Sequence, residues 1–336
     1  MQTRTLGNSG VVVPPICFGT MLFGNPVREP EAERLVHAAI DQGINFIDTA
    51  NSYEGYDRTP GSRGGVAEEY LGRVLKARRE RVVLLTKIGS PVGPDPHDKG
   101  SSRGHLQREL EKSLQRLQTD RIDLLMLHWP DLTVPFEESL GTLDRFVKEG
   151  KVRYFGVSNF VAWQLCELLW LSDRLKLERL VAYQPPYSIL RRDIEISELL
   201  FCRKFGIGIT CYQVLQGGWL SGRHPGPTSG GAGRLVEKPQ WLTPLPDSVW
   251  PRLESLSKIA SRLNVSLAEL AIAWTLRHRE ISSVVLGMRS LRNIESAISA
   301  SELIIPADEL QKIDDLFPLA MDLRWPWSQW RVRVSQ

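Results

Sequence analysis

The sequence predicts one α/β domain, a single (β/α)8 TIM barrel, and three observations carry that expectation. Eight short apolar runs recur along the chain, each of the length that a fully buried parallel strand needs. Amphipathic segments with the 3.6-residue period of a helix packed on a sheet fill the gaps between them. No shift of composition divides the 336 residues, so 1–336 reads as one unit, and barrels of roughly 250 residues or more are ordinary. A doubly wound open sheet is the alternative that the same alternation allows.

The elements follow in order. Thr3–Leu6 and Val11–Val13 flank a Gly-Asn-Ser-Gly turn and read as an N-terminal β-hairpin closing the barrel floor. The strands are Ile16–Thr20, Ile44–Asp48, Val82–Lys87, Ile122–His128, Val152–Ser158, Leu180–Gln184, Ile207–Tyr212 and Ser283–Gly287. Glu31–Gln42 is a helix ending at Gly43, a residue suited to a left-handed C-cap. Ser102 opens a helix with Leu106, Leu110, Leu114 and Leu117 along one face. Phe136–Glu149 stops at Gly150, and Ile194–Phe205, preceded by Asp193, stops at Gly206. Ser266 and Glu269 form a capping box ahead of Leu270–Leu276. Gly217–Asp247, with its HPGPTSGGAG stretch, is a long loop after the seventh strand, and loops of that length in a compact domain usually serve function. The tail 317–336, with Trp325, Trp327 and Trp330, is expected to fold over the barrel mouth.

Composition narrows the function classes. A hydrophobic fraction of 42% with 24% charged residues is globular. Lys and Arg number 42 against 39 Asp and Glu, a balance of +3. That field is too weak to select nucleic acid or an anionic membrane as partner. Cys17, Cys166, Cys202 and Cys211 form no C-x-x-C pair and stand near no His at ligand spacing, so they read as reduced, and no metal is expected. The polar N-terminus does not resemble a signal peptide, and no apolar stretch has the length of a membrane span. A cytoplasmic chain is expected, with its oligomeric state open.

The polar residues at the ends of the apolar runs suggest chemistry. Asp48, Lys87, His128, Ser158–Asn159, Gln184 and Tyr212 each stand at the C-terminal end of a run, the active-site face of a barrel. One such residue is most often a cap or a solvated loop side chain; six from six strands form a site. Tyr53, five residues past the second strand, is either a surface tyrosine or turns back over the mouth. In the second case a Lys87 ammonium held by Asp48 would lower the phenol from its ordinary pKa of ~10. His128 would donate to the same substrate oxygen, which makes an acid site that polarises a carbonyl.

These residues lie in segments that resemble the aldo-keto reductase superfamily along essentially the whole chain. GINFIDTANSY brings Asp48 and Tyr53, VVLLTK brings Lys87, IDLLMLHWPD brings His128, and AEEYLG and KVRYFGVSNF match further stretches. The resemblance implies an Asp-Tyr-Lys-His tetrad and reduction of an aldehyde or ketone by NADPH, with Tyr53 as proton donor. It implies that Ser158, Asn159 and Gln184 bind the nicotinamide carboxamide, that Tyr212 stacks on the ring, and that Thr20, Asp48, Gln213 and Asn293 also line the cofactor. For the phosphate end it nominates Leu215, Gly217, Arg223, Gly287 and Arg289, with Arg292 in reserve. A bidentate arginine favours NADP over NAD.

Three departures from that pattern stand out. The seventh strand continues as Tyr212-Gln213-Val214-Leu215 where the family usually has Tyr-Ser-Pro-Leu. Ser296-Ala297 replace the Glu-Asn that usually faces adenine. The loop after Tyr53 carries Arg58 and Arg63 and is either a tolerated insertion or a substrate lid for a polar or anionic group. Three rival functions remain: a nicotinamide-binding regulatory protein with vestigial turnover, a sugar or nucleotide-sugar carbonyl reductase, and a barrel glycosidase with Asp48 and Glu68 as paired carboxylates. Trp129 beside His128 is a pocket wall or a core tryptophan, so the substrate stays open between aromatic and sugar-like carbonyls.

Overall fold

The computed structural model describes residues 1–59, 61–223, 234–241 and 244–319. A two-stranded antiparallel hairpin opens the chain, β1 (Arg4–Thr5) and β2 (Val12–Val13), with Arg4 opposite Val13. Eight parallel strands then close into a barrel: β3 (Ile16–Gly19), β4 (Phe46–Asp48), β5 (Val83–Ile88), β6 (Ile122–Leu127), β7 (Val152–Ser158), β8 (Ala182–Gln184), β9 (Gly208–Cys211) and β10 (Ile281–Gly287). β10 returns to pair with β3, Val284 opposite Ile16, which excludes the open sheet.

The helices alternate with these strands: α1 (Glu29–Asp41), α2 (Val66–Val74), α3 (Arg103–Leu117), α4 (Phe136–Lys148), α5 (Ala162–Leu175) and α6 (Glu198–Phe205). Between β9 and β10 come a single turn, α7 (Arg234–Glu237), then α8 (Trp250–Arg262) and α9 (Leu267–Leu276). α10 (Leu291–Glu302) and α11 (Ala307–Leu316) follow the last strand. α1 begins two residues before the expected start, because Pro30 is tolerated in a first turn where its missing N–H has no partner to lose. The helix expected over Ile194–Phe205 is broken into a 3-10 turn at Asp193–Glu195 and α6, since Ser197 lies off the helical region at φ −144°. The Ser266–Glu269 capping box forms as expected.

Two apolar layers are separated by the barrel wall. Strand faces and helices share a large outer core that includes Ile16, Phe18, Ile47, Leu84 and Trp274. Inside, Leu6 and Val13 of the hairpin region plug the floor against Cys17, Phe46, Leu85, Leu124, Met126 and Ala182. Side chains alternate along a strand, so the residues two positions beyond Phe46, Leu85, Met126 and Ala182 face the same interior. Those residues are Asp48, Lys87, His128 and Gln184. The packed floor thus positions a polar layer above it. The four cysteines are free, three of them buried and Cys166 exposed. No described helix is long and apolar enough to cross a membrane. Trp325, Trp327 and Trp330 of the tail, and the HPGPTSGGAG stretch, lie outside the described residues.

Candidate active site

Lys87 anchors the polar layer. Its ammonium, 1% exposed, lies 2.7 Å from Asp48 Oδ1 and donates to Thr49 O at 3.0 Å and to Tyr53 OH at 3.1 Å. Burial works against its charge, yet Asp48 and Tyr53 together hold its pKa above the ordinary lysine value. The charge is therefore permanent at neutral pH. Tyr53 reaches this spot because its segment turns back immediately after β4, with Tyr53 N–H donating to Ala50 O at 3.1 Å.

The expected lowering of the Tyr53 phenol is only part of the balance. Burial pushes its pKa up, Lys87 pulls it down, and the net direction is upward. The phenol thus stays protonated well past neutral pH, the state a proton donor requires.

His128 follows β6, its ring edge-on to that of Tyr53 with centroids 5.8 Å apart. Burial, reinforced by Lys87 and Arg58, holds its pKa well below 6.5, so the imidazole is neutral at pH 7. Ser90 Oγ stands 2.9 Å from Nδ1. With the hydroxyl donating, the ring proton lies on Nε2, free to donate elsewhere. Trp129 stacks on His128 at 5.7 Å and is 41% exposed, which makes it a wall rather than core.

A second set of polar groups continues from this cluster. Gln184 Nε2 donates to Asp48 Oδ2 at 2.8 Å and to Thr210 Oγ1 at 3.2 Å, leaving Oε1 as its remaining polar atom. Ser158 Oγ donates to Gln184 O at 2.8 Å. Asn159, at φ 66°, spends both amide hydrogens on His128 O and Ser158 Oγ, while its Oδ1 accepts from Tyr212 OH at 2.6 Å. Burial raises the Tyr212 phenol to about 12, so it remains a donor. Thr20 Oγ1 donates to Asp48 O at 2.9 Å. Gln213 is also strained, at φ 58°, and its Oε1 is buried with no hydrogen-bond partner.

The candidate phosphate residues are spread around the mouth beyond β9 and β10. Leu215 and Gly217 begin the loop after β9, Gly217 at φ 67°, and Arg223 is exposed at its described end. Gly287 closes β10. Arg289 N donates to Asn293 Oδ1 at 3.1 Å, and the Arg289 guanidinium grips both oxygens of Glu237 at 2.9–3.2 Å. Arg292 is exposed and Ala297 is buried, so position 297 offers adenine no hydrogen bond.

These groups fit a nicotinamide dinucleotide. Gln213 Oε1, buried without a partner, and Gln184 Oε1 could accept from a carboxamide, and the Arg289 fork already holds an oxyanion. Among the described residues no group of three or more His, Cys, Asp and Glu is placed to hold a metal ion. The glycosidase pair is excluded, because Glu68 is fully buried on the outer side of β5, bound to Arg116 and Thr86.

Three side chains of the site went unread in the sequence: Ser90, Thr210 and Glu237. Their partners are 38, 26 and 52 residues away, and a lone Ser, Thr or Glu carries no local signal. Arg58 crosses from the Tyr53 loop to Pro91 O and pairs with Glu54 at 3.6 Å, while Arg63 is exposed and paired with Glu69.

Known proteins resemble this chain along nearly its full length. The aldo/keto reductase family profile matches residues 15–317. The uncharacterized oxidoreductase YrpG of Bacillus subtilis is 33% identical over 330 residues, 95% of this chain and 96% of that protein. A probable voltage-gated potassium channel subunit beta of Arabidopsis thaliana is 33% identical, covering 90% of this chain and 92% of its own. The L-glyceraldehyde 3-phosphate reductase of Escherichia coli (strain K12) is 30% identical, covering 94% and 92%. With its closed barrel and a match across residues 15–317, the chain belongs to the aldo/keto reductase family.

Proposed function

We propose that this protein is an NADPH-dependent reductase that converts an aldehyde or ketone to an alcohol, with Tyr53 as proton donor. The observation that carries the reading is the Tyr53–Lys87–Asp48 line, with Lys87 and Asp48 buried and Tyr53 half-buried, closed on one side by a neutral His128. Family membership and oxidoreductase relatives support carbonyl reduction as the general chemistry.

When bound, NADPH supplies the hydride. Ser158, Asn159, Gln184 and Gln213 would hold the carboxamide, Tyr212 would flank the ring, and Arg289 would meet the 2′-phosphate. His128 Nε2–H and Tyr53 O–H would donate to the substrate carbonyl oxygen and polarise it. As charge grows on that oxygen, Tyr53 gives up its proton, and the nearby ammonium of Lys87 stabilises the phenolate left behind. Asp48 keeps Lys87 charged and in place throughout.

Two other readings have support from relatives. The plant protein named as a probable channel β-subunit favours a regulatory role in which cofactor binding outlasts turnover. The name of the E. coli relative makes a phosphorylated sugar aldehyde the first substrate to assay. The deciding experiment is Tyr53→Phe. It should bind NADPH as the wild type does and lose nearly all reduction, measured by cofactor oxidation with a panel of aldehydes and ketones. A variant that keeps most of its activity removes Tyr53 from the donor role, and a wild type that binds without turnover favours the regulatory reading.

A further inference from the structure

A second set of charges lies behind the Tyr53–Lys87 pair, on the helix side of the sheet, and the proposed reaction makes no direct use of it. Lys87 faces the barrel interior, so its neighbour Thr86 faces outward. The Thr86 hydroxyl donates to Glu68 Oε1 at 2.6 Å. Glu68 sits on α2, and its Oε2 accepts from Arg116 Nε of α3 at 2.7 Å. Arg116 also lies 4.0 Å from Glu109 Oε2, the oxygen that accepts from Asn51 Nδ2 at 2.9 Å. Asn51 stands two residues before Tyr53, and its backbone N–H donates to Lys87 O at 2.9 Å. The line Thr86–Glu68–Arg116–Glu109–Asn51 therefore starts next to Lys87 and ends on the segment that carries Tyr53.

Such a line is expensive to build. Glu68 is fully buried and Glu109 is 2% exposed. Buried ion pairs of this kind are often no more stabilising than apolar residues of equal volume, so packing α2 on α3 does not account for them. Among the described residues the Asn51 side chain makes no hydrogen bond besides that to Glu109, and its Oδ1 is buried without a partner. The Asn51 side chain is thus anchored at one point, the Glu109 carboxylate of α3, beside the backbone bond to Lys87 O.

We infer that Glu68, Arg116 and Glu109 form a positioning clamp that grips Thr86 and Asn51 and so sets the 3.1 Å contact between Lys87 Nζ and Tyr53 OH. The clamp deepens the reading of Tyr53 as proton donor and rests on it. None of its members touches substrate or cofactor. All act through Tyr53 and Lys87.

The test uses Asn51→Ala, Glu109→Leu and Glu109→Gln in the full chain. Asn51→Ala cuts the clamp at its end and leaves Glu109, Arg116 and Glu68 paired among themselves, so it serves where Glu109→Leu fails to fold. Folded Asn51→Ala should bind NADPH within about two-fold of wild type and keep its KM, while kcat falls on the order of 10- to 100-fold, as for a small misplacement of a reacting group. Glu109→Gln keeps an acceptor for Asn51 and should retain most of kcat, whereas Glu109→Leu should match Asn51→Ala, with the double variant no worse than either alone. A readout free of turnover is the Tyr53 titration in protein carrying 13Cζ-labelled tyrosine, its signal identified by its loss in Tyr53→Phe. Lys87 pulls that phenol down, so loosening the Lys87 contact should move its pKa further up. A folded Asn51→Ala with wild-type kcat and an unmoved Tyr53 titration overturns the clamp. If the wild type reduces no carbonyl at all, the proposed reaction fails, and the titration still decides the clamp.

Discussion

An ammonium taken out of water costs several kcal/mol unless a partner compensates it. Lys87 has such a partner in Asp48, and the two are 1% and 2% exposed. Removing one member of a buried pair strands the other, so Asp48→Asn should lower stability by about 3–5 kcal/mol in denaturant titration. A loss near zero would mean that water reaches Lys87. The opposite end of the proposed cofactor site has an ion pair that would compete with a bound 2′-phosphate. Glu237 holds the Arg289 fork that a 2′-phosphate would need. Glu237→Gln should therefore tighten NADPH several-fold and leave NADH alone. Arg289→Ala should weaken NADPH about ten-fold or more, the size of a charge-assisted hydrogen bond, again sparing NADH. Fluorescence titration with both cofactors checks the pair, and equal effects on the two would remove Arg289 from phosphate recognition.

At the scale of elements, α2 and α3 show a close approach that explains the Gly72 of AEEYLG. A Cβ at Gly72 would lie 2.1 Å from Arg116 O and 3.0 Å from the Leu117 carbonyl carbon. Alanine improves helix propensity by about 1 kcal/mol, but overpacking against backbone costs about 1–3 kcal/mol. Gly72→Ala should thus be destabilising on balance, seen as a lower melting temperature, and a stabilised variant would show that the helices can part. The eight strands were legible because a buried parallel strand needs a continuous apolar run, and that demand is local. The sequence shows one helix over Ile194–Phe205 because Ile194 and Leu199 are both buried, so the apolar pattern runs on through a break that only Ser197 marks. Glu68 was legible as a helical residue but not as a buried one, since its cation lies 48 residues away. The motifs point to Asp48, Tyr53, Lys87 and His128, which the fold brings together, but not to their neighbours Ser90 and Asn51, because those contacts are set by tertiary packing.

The whole molecule should respond to acid through histidines whose charged form burial disfavours, His105, His128 and His278. Burial holds His128 well below 6.5, with Lys87 and Arg58 adding to it, and burial with Arg277 brings His278 down to about 4. The unfolded chain binds these protons near pH 6.5, while the folded chain refuses them until the pH is lower. Stability therefore falls as pH drops from about 6.5 toward 4, and is insensitive to these groups above 7. Denaturation midpoints across pH 5–8 check the sign, and His128→Gln should flatten the slope. An unchanged slope in that variant would assign the effect to other groups.

The hydrogen bond from Gln184 to Asp48 joins residues 136 positions apart. Asp48, Tyr53, Lys87 and His128 come from β4–β6 and the segments that follow them, whereas Ser158, Gln184 and Tyr212 come from β7–β9 and the segment after it. Under the proposed reaction, the acid residues would come from the first half of the barrel and most of the carboxamide residues from the second. As the protein is synthesised, Asp48, Tyr53, Lys87 and His128 leave the ribosome before Gln184, whose amide steadies the Asp48 carboxylate. A chain that ended before Gln184 would have Asp48, Tyr53, Lys87 and His128 but not the last strands that close the barrel, so a prematurely terminated product should not reduce a carbonyl.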